Sequence, residues 1–270
     1  MNNHQVRTTY KRPSSRLLLW VTLLVSMAPV AWCADYFGST ERREAALIGI
    51  LYDLKQDQER RPKNVNFQEL LGQFVREGWD EDILNNYYRA SRPLYTTQLF
   101  VPEIGADTAP RAFGVEDIIR PRQWVIHYKG QVRPPHAGTF RFVGLADDLL
   151  AAAVNGKTVL IGEHGGSRLK KHGWRDAPRD QITTTTGPAV AGDWFTVQEG
   201  EVIDLDIIIG ERPGGVFAAW LMIQQQGVSY GKDGSGKDIL PVFQLVASEL
   251  PPRETCARPA RPEELWSGVQ

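Results

Sequence analysis

Asp147 and Asp148 stand side by side at the end of an apolar segment, GTFRFVGLADD, and are the residues of this chain best placed to do chemistry. Adjacent carboxylates at a strand end bring several oxygens into a small volume, where they can converge on a hard cation such as Ca²⁺. They can equally serve a turn, accepting hydrogen bonds from nearby backbone N–H groups. The polar stretch EHGGSRLKKHGWRDAPRD, residues 163–180, adds further candidates. Asp176 or Asp180 can complete a cation shell. Trp174 offers an aromatic face to the apolar side of a sugar ring, or else anchors the loop by packing. His164 and His172 share this stretch, an arrangement compatible with a transition metal.

Catalytic signatures are missing from the sequence. The histidines lack H-E-x-x-H spacing, and the run GKDGSGKD lacks the Lys-Ser/Thr ending of a phosphate-binding loop. There is no Gly-x-Ser-x-Gly elbow. His127 falls in a strand pattern and reads as structural, and Trp194 reads as core or edge. No catalytic residue is expected, and the chain reads as a non-enzyme.

The elements around these residues are mostly strands. Residues 45–55, 94–101, 124–132, 138–146, 149–162, 201–211, 215–227 and 239–246 are apolar or alternating, with turn signals between them. Asn155-Gly156 splits 149–162 into a hairpin. Residues 102–122 read as loop or weak edge. FQELLGQFVRE, 67–77, has apolar residues at helical spacing, with Gly78 to stop it and Asp80 to cap a second short turn. The expected fold is mainly β: an antiparallel sandwich or barrel over 45–248 with a helical insertion near 64–90. The Pro-rich, charged residues 249–270 read as a disordered tail.

The segment WVIHYKGQVRPPHAGTFRFVGLADDLLAAAVNGKTVL, 124–160, resembles the protective-antigen (PA-fourteen) domain, a β-sandwich module of bacterial toxins, glycosidases and fungal adhesins. The resemblance rests on Gly130, Pro134, Pro135, Gly138, Phe140, Phe142, Asp147, Asp148, Asn155 and Gly156, and more loosely on ERPGGVFAAWLMIQ. Leu149 departs from it, since Gly is usual there. In glycan-binding members the paired aspartates hold calcium, and calcium helps hold sugar hydroxyls. The resemblance therefore implies Asp147 and Asp148 as Ca²⁺ ligands; the polar stretch 163–180 adds Trp174, His164 and Asp176 as candidate ligand-binding residues.

Composition and the N-terminus set the compartment. The chain has 31 basic and 32 acidic residues and a net charge of −1, against the basic excess of a nucleic-acid binder. Residues 1–33 carry Arg7, Lys11, Arg12 and Arg16 and no acid, then the apolar run Leu17–Trp32 and the small-residue site AWCAD. That is the layout of a secretory signal helix, cleaved or retained as an anchor, and the run is short for a membrane span of about 20 residues. Only this segment is expected to contact a membrane. The remainder is expected in the periplasm or secreted, as a cell-envelope carbohydrate-binding module. The alternative is an assembly module that docks another envelope protein through Trp79, Tyr87 and Tyr88.

Overall fold

The structure is a computed structural model that describes residues 36–163, 179–184, 187–212, 214–234, 236, 238–248 and 262–269. The expected signal segment, together with His164, Trp174 and Asp176, lies outside the described residues.

Period-two alternation in two long strands builds the first sheet. In β5 (Trp124–Arg133), Trp124, Ile126, Tyr128 and Val132 face the central core while Val125 faces the opposite side. β12 (Ile203–Glu211) repeats the pattern, with Leu205, Ile207 and Ile209 inward and Ile208 outward. The two pair antiparallel from Ile203 opposite Val132 to Glu211 opposite Trp124. β1 (Leu47–Asp53) lies on the other side of β5 and is extended by β2 (Tyr88–Arg89) and β3 (Leu94–Thr96). β7 (Leu149–Val154) and β8 (Lys157–Glu163) continue beyond β12, and β14 (Ser267–Val269) joins β5, which completes eight strands.

The second sheet has six strands. β4 (Phe100–Gly105), β13 (Val216–Gln225), β6 (Gly138–Asp147), β10 (Gly187–Ala191) and β9 (Arg179–Thr184) run in that spatial order, with β11 (Phe195–Val197) also on β6. Its inner face contributes Phe140, Phe142, Phe217, Leu221 and Ile223 to the shared core. The architecture is the expected antiparallel sandwich, with two open sheets rather than a closed barrel.

Each sheet also has a covered outer face. α1 (Phe67–Arg76), capped by the Asn66 side chain accepting from the Glu69 N–H at 3.3 Å, lays Phe67, Leu70, Leu71 and Phe74 over the outer side of the first sheet. α2 (Glu81–Asn85) follows, capped by Asp80. On the second sheet, Leu240 and Val242 pack against Phe100, Trp220 and Met222.

Two stretches differ from expectation. Residues 102–122, expected as loop or weak edge, hold most of β4, which is indeed an edge strand, and also α3 (Thr108–Ala112). Pro102 is tolerated because β4 is an edge strand. The expected disordered tail returns to the domain at its end: β14 pairs with β5, and Trp266 is buried against Phe140, Phe195 and Phe243. The Asn155-Gly156 hairpin joins β7 to β8 with both residues at positive φ, 50° and 73°. Positive φ at both central residues is the two-residue turn that matches strand twist.

Candidate functional site

Asp147 ends β6 in the second sheet, and Asp148 leads into β7 in the first. The pair therefore sits where the chain crosses between sheets, at one end of the sandwich, and the peptide joining the two is cis. The Asp148 N–H donates to the Gly210 carbonyl at 3.0 Å. The Arg212 N–H donates to Asp148 Oδ2 at 2.7 Å, and Arg212 Nη2 lies 3.6 Å from Oδ1. Asp148 thus binds a backbone N–H, as the turn reading requires, and its carboxylate stays partly accessible.

Behind the pair lies a residue that sequence reasoning missed. Glu211 ends β12 and is wholly buried, and neither carboxylate oxygen has a hydrogen-bond partner. Burial, reinforced by the negative charges of Asp148 and then Asp147, pushes its pKa up to about 8. Gly214 closes over it: a Cβ there would fall 2.7 Å from Glu211 Oε1. The sequence signal was a carboxylate at the end of an apolar strand, followed by Pro213 and paired glycines.

Three acidic residues therefore gather at this end, with Arg212 as the cation in direct contact with Asp148. Among the described residues, no group of three or more His, Cys, Asp or Glu side chains stands ready-made as a metal site. A Ca²⁺ shell of about 6–8 oxygens draws also on backbone carbonyls and water.

Two further residues singled out in the sequence, His127 and Trp194, are described. His127 is buried beneath Phe74 and Trp79, with Nε2 2.8 Å from Asp206 Oδ1. Trp194 is an edge residue, 40% exposed, with the Arg141 guanidinium 4.6 Å over its ring. No helix among the described residues is long and apolar enough to cross a membrane.

No family model and no curated protein matches the chain. Solved structures do. PA14 domains are among its structural neighbours. A PA14 sugar-binding domain from an RTX adhesin is 14% identical, with a TM-score of 0.44 over 74% of this chain and 96% of that one. The PA14 domain of an antifreeze protein is 16% identical, with a TM-score of 0.41 over 70% and 88%. The epithelial adhesin 6 A domain from Candida glabrata, in complex with Galβ1-3GlcNAc, is 12% identical, with a TM-score of 0.41 over 77% and 95%.

Proposed function

We propose that this chain is an exported, non-enzymatic module that binds glycan or cell-envelope polysaccharide through a Ca²⁺ held at Asp147 and Asp148. The observation that carries the cation is the orphaned carboxylate of Glu211, buried behind the acidic pair without a partner. Burial keeps this carboxyl protonated up to about pH 8, and a divalent cation at the neighbouring pair would favour its ionised form in place of that proton. Asp147 and Asp148 would hold the ion from the accessible side. Bound there, Ca²⁺ supplies Lewis-acid attraction for vicinal hydroxyls. Arg212 holds Asp148 in place, and Gly214 keeps the loop close over Glu211. The glycan as ligand class follows from the resemblance of 124–160, with Trp174, His164 and Asp176 as the proposed sugar-side residues.

The docking alternative draws less support. Trp79 is buried and its indole N–H donates to Thr158 Oγ1 at 2.8 Å, so it offers no exposed anchor to a partner. Tyr87 and Tyr88 are half-buried.

The test is thermal unfolding of the full chain in EDTA, in Ca²⁺, and in Ca²⁺ with a glycan panel. A ligand at a hundred times its Kd adds about 2.7 kcal/mol. For a chain of this size that is a rise of about 5–10 °C. Asp147→Ala/Asp148→Ala should abolish the Ca²⁺ rise and any further rise from sugar. Absence of any rise with Ca²⁺ or sugar in the wild type would sink the reading.

A further inference from the structure

A second recess lies at the other end of the sandwich. It is built by the β5–β6 turn at Pro135 and His136, the end of β13, residues 228–231, Ile239 and Pro241, and the returning segment 262–266. It has a volume of about 530 Å³, within the range of about 300–1,000 Å³ of small-molecule sites. Phe140 in its floor and Asp147 are both on β6, so the strand rise of about 3.3 Å per residue puts about 23 Å between the two ends. It is therefore separate from the proposed cation site.

The chemistry of the recess is apolar inside and acidic at the rim. Phe140 and Ile223 form its floor, and the partly exposed Tyr230, Ile239 and Pro241 supply the wall. The Tyr230 hydroxyl accepts from the Gln225 N–H at 2.7 Å, which fixes the ring. Glu264 Oε2 is 2.9 Å from His136 Nε2, while His136 Nδ1 is 2.9 Å from the Ala137 carbonyl oxygen. Glu264 thus has the His136 ring as its partner. Glu263 is exposed and pairs with no described residue, and no described Lys or Arg lines the recess. Among the described lining residues the rim therefore carries two carboxylates and neither Lys nor Arg, which disfavours an anion. Trp266 is 3% exposed and packed into the core, which leaves Tyr230 as the partly open aromatic ring of the recess.

We propose that this recess binds a small organic cation, a primary ammonium on an apolar stem, with the stem against Tyr230, Ile239 and Pro241 and the ammonium at Glu263. The stem gains from apolar burial, and the charge gains from the acidic rim.

The experiment titrates the isotope-labelled full chain with n-pentylammonium and with Nα-acetyl-lysine methylamide, following the Trp266 indole N–H by NMR. The first probe represents a free amine and the second a peptide side chain, so their relative affinities identify the source. Either should give a saturable Trp266 shift, unchanged in EDTA and in Asp147→Ala/Asp148→Ala. Glu263→Gln should weaken binding about five-fold to ten-fold, and Glu263→Lys should remove it. Glu263 has no described partner, so both variants should melt with the wild type; Glu264→Gln gives a second carboxylate test if either does not. Equal binding of the neutral norleucine analogue, an affinity indifferent to Glu263 and Glu264, a Trp266 shift with neutral sugars instead, or no saturation at tens of millimolar would each overturn the proposal.

Discussion

A carboxylate without a partner in a protein interior holds its proton to unusually high pH, and Glu211 makes that testable. Unfolding returns it from about 8 towards its ordinary value of 4.5. The folded state therefore binds this proton more tightly than the unfolded state. The resulting stabilisation is full below about pH 4.5 and is lost as pH rises through about 8. In EDTA, wild-type melting temperature should carry a downward component across that window. Glu211→Gln keeps the shape without a titrating proton, so it should remove that component and melt above the wild type at pH 8. Parallel pH–melting curves for the two proteins would refute the assignment. The acidic pair was legible because its residues are neighbours in sequence. Glu211 was not, because its burial depends on Trp124 across the ladder and on Gly214 closing over it, neither of which local pattern reveals.

At the level of elements, apolar periodicity exposed the long strands and α1, while short strands escaped it. β10 and β11 span too few residues to display a period, and pairing defines them, β10 with β6 and β9 and β11 with β6. α1 is different: its apolar spacing places Leu70, Leu71 and Phe74 on the sheet, where Phe74 meets Trp79 and His127 edge-on. Removing that contact should be costly. Phe74→Ala is expected to destabilise by about 3–5 kcal/mol. Asn66→Ala, which removes only the cap, should cost about 1 kcal/mol. Denaturant unfolding of the two variants checks both values. If Phe74→Ala cost no more than the cap variant, the helix would be a loose surface element rather than the lid of the first sheet.

The whole molecule closes its core from both ends of the sequence. Phe37 packs on Trp124 and Phe217, and Trp266 fills the space among Phe140, Phe195 and Phe243. The C-terminal region looked like a tail because prolines and charges dominate 249–264, and only Leu265 and Trp266 hint at a return. The packing makes that return a structural requirement. Trp266→Ala should cost about 3–5 kcal/mol. For a domain of this size that lowers the melting temperature by about 10 °C or more. Deleting 262–270 should do at least as much, since β14 goes with it and uncovers apolar rings that a hydrophobic dye can report. Because the two ends lie about 23 Å apart along β6, any Ca²⁺-induced rise at Asp147 and Asp148 should survive Trp266→Ala with its size unchanged. Calorimetry of the variant with and without Ca²⁺ reads both effects. A melting temperature indifferent to Trp266 would mean that the core is complete without the C-terminal strand, and a lost Ca²⁺ response would mean that the two ends are coupled through the sheet.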